Sequence, residues 1–192
     1  GFVLGWDGLM VESERLRAAA ARRLAERMVE GRRNRVEVRE AFVTAENVNE
    51  IVGSGPLGVL SIDVDGMDYW LWAAVQAAPQ VVVIEYNASL GAERAVTVPY
   101  DARFTALRAH PSGYYHGASL AALEKLGRSK GYSLAAVDSA GVNAFFVLDA
   151  VRPAALKTRT AAEAFRPHRM RLRRHSEAEQ WDLIRHLPYE NV

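Results

Sequence analysis

Strand-like and helix-like segments alternate along most of this 192-residue chain, and no other feature restricts its fold as strongly. Short apolar runs occur at 8–12, 57–62 and 81–84, residues 36–43 alternate between apolar and polar as a strand does, and helix-prone stretches such as 15–29 separate these segments. This order is typical of an α/β domain with a largely parallel sheet. Apolar residues make up 49% and charged residues 24% of the chain, the usual mixture for a globular protein. We therefore predict an α/β fold with a core of ordinary size.

Two further strands, at 132–137 and 143–148, are separated by only about five residues, including Gly141. A parallel crossover needs a dozen or more residues, so these two strands must form an antiparallel hairpin. The sequence thus predicts a mostly parallel sheet with one reversed strand near its edge.

The run at 57–62 reads as a strand buried on both faces, and three acidic residues follow it: Asp63, Asp65 and Asp68. In open α/β sheets, ligands bind at the carboxyl ends of the strands, so these carboxylates are the first candidates for function. The alternative is structural: Asp65 and Gly66 would form a turn, and Asp68 would begin the next helix.

Residues 88–117 show little periodicity, and a loop of this length in a compact domain is usually a lid or a binding loop. It carries Tyr114, Tyr115 and His116. The imidazole of His116 is a candidate proton acceptor because its reference pKa is near neutral, but a loop histidine is often only a surface residue. Ordinary core packing is likewise the alternative for the tyrosines.

The tail from residue 152 onward is polar and helix-prone, so we divide the chain into a domain at 1–150 and a helical extension at 151–192. Trp181, Ile184 and Leu187 have helical spacing, which predicts that the tail docks on the domain and could contribute to a homodimer contact. A basic cluster could bind phosphate or carboxylate groups, or be a solvated helix face. Its members are Arg166, His168, Arg169, Arg171, Arg173, Arg174 and His175.

Charge and composition exclude several classes of partner. The net charge is only +1, which argues against nucleic acid as the main partner. The chain has no cysteine, and this excludes disulfides and thiolate metal sites and fits a cytoplasmic location. No apolar run approaches the roughly 20 residues that a membrane span needs. We therefore expect a soluble protein that acts on small molecules.

Several phrases of the sequence together resemble a known family. They are Phe42–Asn49 (FVTAENVN), Ser61–Trp70 (SIDVDGMDYW), Val83–Asn87 (VIEYN), Tyr115–Leu120 (YHGASL) and Gly141–Val147 (GVNAFFV). The chain resembles the class I S-adenosylmethionine-dependent methyltransferases, and within them a bacterial group close to the FkbM-like enzymes. This resemblance implies a Rossmann-like, doubly wound, three-layer αβα fold, whose mostly parallel sheet has one antiparallel strand near the edge.

The resemblance also implies a binding site for S-adenosylmethionine. Glu12 and Ser13 follow the strand whose acidic end takes the ribose hydroxyls, as a carboxylate does in dinucleotide folds. Thr44, Ala45 and Glu46 match the adenine contacts, and Asp63 matches the position nearest the transferred methyl group. The family begins with a strand and a glycine-rich turn, whereas residues 1–6 resemble the end of a helix. We expect the missing strand to precede residue 1.

Methyl transfer to oxygen or nitrogen is an in-line displacement that needs an aligned nucleophile and a base. Asp63, Asp65 and His116 are the candidate bases. The acceptor would be a sugar, natural product or similar small molecule. Candidate acceptor-binding residues are Asp68, Tyr86, Asn87, Tyr114 and Tyr115.

The acidic residues permit a second chemistry. Asp63, Asp65, Glu85 and Asn87 offer an all-oxygen set of ligands, which suits Mg²⁺. Such an ion could assist methyl transfer to vicinal hydroxyls, or it could serve a metal-dependent hydrolase of phosphoesters. A third possibility is a non-catalytic binding module that uses the basic tail or the long loop.

Overall fold

The computed structural model describes residues 5–192, so the interpretation of residues 1–4 as the end of a helix lies outside the described residues. Contacts divide the chain into two compact units, Gly1–Thr44 and Ala45–Val192. The division at residue 150 inferred from composition stays a prediction.

The helices alternate with the strands, as the sequence predicts. The α-helices are α1 (Arg15–Val29), α2 (Val48–Val52), α3 (Asp68–Ala74), α4 (Ala106–Ala109), α5 (Leu120–Ser129), α6 (Ala161–Ala164) and α7 (Glu177–Ile184). Within residues 5–192, 3₁₀ turns lie at Ala88–Leu90, Asp149–Val151 and Arg171–Arg173. The strands are β1 (Gly8–Glu12), β2 (Val36–Glu40), β3 (Val59–Ile62), β4 (Val81–Glu85), β5 (Val96–Thr97), β6 (Tyr132–Val137), β7 (Asn143–Leu148) and β8 (Glu190–Asn191).

The first unit is a single strand–helix–strand motif. β1 and β2 are parallel, with Gly8 opposite Val36 and Glu12 opposite Glu40. The connection between them is α1, whose alanine, leucine and arginine residues have high helix propensity. Ala18 and Ala25 are the buried residues of this helix.

The second unit contains a four-stranded sheet in the order β3-β4-β7-β6. β3 and β4 are parallel, while β7 is antiparallel to both β4 and β6. The predicted hairpin of β6 and β7 is therefore confirmed. Strand β4 is central, and its Val82 and Ile84 side chains are fully buried.

The predicted Rossmann-like, doubly wound, three-layer fold is wrong. Within residues 5–192, the eight strands form three small sheets of two, four and two strands. In the part of the chain that the structure describes, parallel pairing is confined to β1 with β2 and to β3 with β4, and the hairpin covers the other edge of β4. The alternation of elements is correct, but strand alternation fixes neither which strands pair nor how many share a sheet.

The burial predicted for β3 is also wrong, because β3 lies at one edge of its sheet. Val59 is 37% exposed, and Ile62, at 5%, is the buried residue of the strand. An edge strand has a partner strand on one side, so an apolar run is compatible with partial exposure.

Residues 88–117 contain more regular structure than their sequence pattern predicts, and their interpretation as a lid or binding loop stays a prediction. They contain the first 3₁₀ turn, β5 and α4, and β5 pairs with β8 near the end of the chain. Tyr114, Tyr115 and His116 are each at most 6% exposed. These three side chains are therefore packed in the second unit.

The tail docks on the second unit as its apolar spacing predicts. Ile184 is fully buried in a cluster with Leu90 and Val98, and Trp181 and Leu187 pack against that cluster. Among residues 5–192, no helix has both the length and the apolar character needed to cross a membrane.

Candidate functional site

A tight turn connects β3 to α3 and carries the three acidic residues. Asp65 has a φ of 54° and Gly66 a φ of 132°, backbone conformations that aspartate and glycine tolerate best. The carboxylate of Asp68 accepts hydrogen bonds from the backbone N–H groups of Val64 and Gly66, both at 3.1 Å. Asp68 therefore closes the turn and begins α3, as the structural alternative requires.

The same turn nevertheless places two of its carboxylates in a cluster. Ile62 lies opposite Ile84 in the parallel pair of β3 and β4, so Asp63 and Glu85 both lie at the carboxyl ends of these strands. Ligand oxygens of Asp63, Asp68 and Glu85 all lie within 4.8 Å of one another. Asp63 is exposed, Glu85 is partly buried and Asp68 is buried. Asp65 is exposed and is not a member of this carboxylate cluster.

His116 lies beside the carboxylate cluster. Its Nε2 atom is 3.7 Å from Oε1 of Glu85, and its side chain is 6% exposed. The backbone N–H of the next residue, Gly117, donates to the carbonyl of Gly66 at 3.1 Å. This bond holds the His116 segment against the acidic turn, so the imidazole is a buried neighbour of the carboxylates and not a surface group.

Three carboxyl groups this close affect one another's protonation. Although the residue is exposed as a whole, partial burial of the Asp63 carboxyl group raises its pKa; the charges of Glu85 and Asp65 raise it further, and the charge of His116 opposes them. For Glu85, the hydrogen bond and charge of His116, with the charges of Arg171 and His168, outweigh burial and lower the pKa. The negative charge of the cluster is thus held most firmly on Glu85.

Asp68 provides a prediction about pH. Burial, and then the charge of Glu85, raise the pKa of Asp68 to about 6, although backbone hydrogen bonds oppose this change. The folded protein therefore binds this proton more tightly than the unfolded chain does. As the pH rises from about 4 to about 6, the unfolded chain loses the proton first, and the contribution of Asp68 to the free energy of unfolding decreases. A carboxyl ¹³C NMR titration should place the Asp68 midpoint near pH 6. A midpoint below pH 4 would contradict this electrostatic description.

Asn87 has a different position from the one predicted for a metal ligand. Its amide nitrogen donates to the carbonyls of Tyr114 and His116, both at 2.7 Å. Its amide oxygen accepts from the backbone N–H of Ser89 and from the guanidinium of Arg171. All of these bonds are internal, so Asn87 holds the His116 segment beside the end of β4.

The three tyrosines predicted to bind the acceptor are instead connected to the tail. Tyr86, Tyr114 and Tyr115 are each at most 6% exposed. Their hydroxyl groups are hydrogen-bonded to the Arg166 carbonyl at 2.6 Å, to Nδ1 of His175 at 2.9 Å and to the Pro188 carbonyl, respectively. These are the contacts of side chains packed in the core, which is the alternative interpretation of the three tyrosines.

The residues predicted to bind the cofactor are divided between the two units. Glu12, Ser13 and Thr44 belong to the first unit, and Ala45 and Glu46 belong to the second. Oε1 of Glu12 accepts the backbone N–H of Glu14 at 2.8 Å, at the end of β1. Within the second unit, the Ala45 N–H donates to the hydroxyl of Tyr100, and that hydroxyl donates to Glu46 at 2.7 Å.

The sequence pattern did not identify Arg171 individually as a residue of the candidate site. It belongs to the basic cluster of the tail, but its guanidinium reaches the site and bonds to Asn87, Ser89 and His116. Arg173 is exposed on the same 3₁₀ turn. The spacing of basic residues along the tail gives no signal that separates Arg171 from its neighbours.

Comparison of the chain with protein-family models, curated proteins and solved structures gives no match. The site is therefore described by its own chemistry. A carboxylate cluster beside an imidazole can accept protons, and the same cluster can supply oxygen ligands to a divalent cation.

Proposed function

We propose that the protein transfers a methyl group from S-adenosylmethionine to an oxygen or nitrogen of a small-molecule acceptor. One observation carries the proposal: residues from three separate sequence segments that resemble the methyltransferase family lie close together at the carboxyl ends of β3 and β4. Asp63, Glu85 and His116 are these residues. Strand ends of a parallel pair are also where ligands bind in α/β proteins generally.

The available side chains suit the methyl donor in chemical type. Glu12 provides a carboxylate at the end of β1, and a carboxylate can accept hydrogen bonds from the two ribose hydroxyls. S-adenosylmethionine would supply the methyl group on a sulfonium, which makes that carbon electrophilic. Ser13, Thr44, Ala45 and Glu46 remain proposed donor contacts on the basis of the resemblance.

The chemistry forms a bond from the acceptor oxygen or nitrogen to the methyl carbon and breaks the carbon–sulfur bond, leaving S-adenosylhomocysteine. The proton of the acceptor needs a base. We assign this role to Asp63, because its carboxylate is exposed to an incoming acceptor and its pKa is raised toward neutrality. His116 is buried beside Glu85, so we assign it the role of stabilising the negative charge of that carboxylate.

The carboxylate cluster also favours a second candidate, a divalent-metal-dependent hydrolase. Asp63, Asp68 and Glu85 could hold Mg²⁺, which would lower the pKa of a bound water. Asp68 must be ionised to bind the ion, and its pKa of about 6 makes binding weaken below that pH. Metal-assisted methyl transfer would use the same ligands.

Calorimetric titration separates the two candidates. The protein is titrated with S-adenosylmethionine in the presence of EDTA, and separately with Mn²⁺ as a probe for the Mg²⁺ site. Saturable heat with S-adenosylmethionine in EDTA supports the methyltransferase. No heat from a protein shown to be folded contradicts it. Metal-dependent phosphoester hydrolysis that is indifferent to S-adenosylmethionine and lost in Asp63→Asn would establish the hydrolase instead.

We base the proposed location and partners on composition. A chain without cysteine suits a reducing compartment, so we place the activity in the cytoplasm. The near-zero net charge favours a small-molecule acceptor over nucleic acid.

A further inference from the structure

One segment of the tail, residues 165–175, concentrates positive charge. It contains five arginines and two histidines and has no aspartate or glutamate, although the whole chain has a net charge of only +1. On either side of it, the carboxylates of Glu163 and Glu179 are engaged in the capping boxes of α6 and α7. The segment is therefore a local basic surface on a chain that is nearly neutral.

Contacts with the rest of the second unit hold the backbone of this segment in place. The carbonyl of Arg166 accepts a hydrogen bond from the hydroxyl of Tyr86 at 2.6 Å. The backbone N–H of Arg169 donates to a carbonyl of the turn between β6 and β7 at 2.8 Å. The guanidinium of Arg171 points inward and donates to the amide oxygen of Asn87 at 2.8 Å. Because these groups face the protein, the segment presents a fixed set of other side chains to solvent.

The exposed side chains of the segment are of two kinds. Met170 is 57% exposed and Leu172 is 43% exposed, which places two large apolar side chains in solvent. Four exposed arginines surround them: Arg166, Arg169, Arg173 and Arg174. Within residues 5–192, none of these four guanidinium groups forms an ion pair with a carboxylate. The surface therefore combines unpaired positive charge with apolar area.

The apolar side chains favour one class of anionic partner over the others. An acidic peptide or a nucleic acid would pair with the arginines but would leave Met170 and Leu172 in water. Phe165 packs its ring against Tyr86, so it is not an exposed platform on which a nucleic-acid base could stack. An anionic lipid bilayer satisfies both kinds of side chain, because its phosphates accept hydrogen bonds from guanidinium groups and apolar side chains enter the boundary below them.

We propose that residues 165–175 dock the protein on the surface of an anionic lipid bilayer. The four exposed arginines bind lipid phosphates, and Met170 and Leu172 insert at the boundary between headgroups and acyl chains. This proposal goes beyond methyl transfer and does not depend on it. The cytoplasmic leaflet is anionic, so such docking agrees with the proposed location. Because Arg171 joins the segment to Asn87 and His116, docking would hold the candidate site near the bilayer.

Co-sedimentation with lipid vesicles tests the docking without a methyl donor or an acceptor. The protein should bind vesicles made of equal parts phosphatidylcholine and phosphatidylglycerol, and it should not bind phosphatidylcholine alone. Binding should be clear at about 0.1 M salt and much weaker at about 1 M salt, where charges are screened over about 3 Å. No binding to the anionic vesicles, or equal binding to both kinds, would overturn the proposal.

The contribution of charge is measured with two double variants. Arg169→Gln with Arg173→Gln should lower the partition coefficient by about 20- to 30-fold, since each basic residue near an anionic surface contributes about fivefold. Arg103→Gln with Arg108→Gln removes the same charge from exposed positions of the second unit outside the segment. This control should bind nearly as well as the wild-type protein. Equal losses in the two double variants would contradict docking through residues 165–175.

The contribution of apolar insertion distinguishes a bilayer from a soluble polyanion. Met170→Gln with Leu172→Gln should weaken binding to the anionic vesicles by at least about tenfold, because two apolar side chains no longer leave water. Leu107→Gln, at a residue that is 74% exposed outside the segment, should have no effect. Undiminished binding by the Met170→Gln, Leu172→Gln protein would overturn the bilayer proposal and would assign the basic surface to a soluble acidic partner.

Discussion

Asp63→Asn is expected to lower kcat for methyl transfer by about 10²- to 10⁴-fold, the usual contribution of a positioned general base. The substitution keeps the size of the side chain but removes the carboxylate that accepts the acceptor's proton. Asp63 is exposed, so the free energy of unfolding should change by no more than about 0.5 kcal/mol. Steady-state kinetics and urea unfolding measure the two effects separately.

Asp65→Asn is the matched comparison for this experiment. Asp65 is exposed in the same turn and has a φ of 54°, which asparagine tolerates as well as aspartate does. Its charge raises the pKa of Asp63 but its carboxylate is outside the cluster, so we expect a loss of less than about tenfold, well short of a general base's contribution. Equal losses in the two variants would contradict the assignment of Asp63 as the base.

Gly141→Ala is expected to destabilise the protein by about 2–5 kcal/mol. Gly141 lies in the turn between β6 and β7 with a φ of 74°, where a residue with a Cβ atom costs about 1–2 kcal/mol. A Cβ atom would also meet the backbone: the carbonyl oxygen of Pro167 at 2.3 Å and that of Arg166 at 2.7 Å. Overpacking of this kind costs about 1–3 kcal/mol more. Urea unfolding measures the sum.

Gly131→Ala separates backbone strain from the contact with the tail. Gly131 has a φ of 82°, but a Cβ atom there would have no neighbour within 4 Å. This variant should lose only the strain energy, about 1–2 kcal/mol. Equal losses in the two variants would show that the backbone at Pro167 yields to the added methyl group, which would contradict the expected clash at Gly141.

The local structure was largely predictable because it depends on neighbours in sequence. The helix at Arg15–Val29 follows from its residues' propensity, and the hairpin of β6 and β7 follows from the short connection between two apolar runs. The turn at Asp65 and Gly66 was predictable for the same reason, since these residues tolerate its positive φ values. Each of these features is decided within about a dozen residues.

The arrangement of the strands was not predictable in this way. An apolar run such as 59–62 can serve as a central or an edge strand, and periodicity does not distinguish the two. In the structure, β3 is an edge strand, and the hairpin occupies the other side of β4. The prediction of a doubly wound sheet is therefore wrong about which strands pair, because pairing depends on contacts between distant segments of the chain.

The alternating elements, the hairpin and the acidic run after β3 could all be inferred from the amino-acid sequence. Which carboxylates meet depends on the folded chain: Asp68 and Glu85 lie beside Asp63, while Asp65 remains exposed to solvent. The tertiary structure also decided that His116 is buried and that Arg171 reaches the site from the tail. The physical reason is that hydrogen bonds and charge interactions depend on distance in space, and chain docking brings together residues that sequence separation keeps far apart.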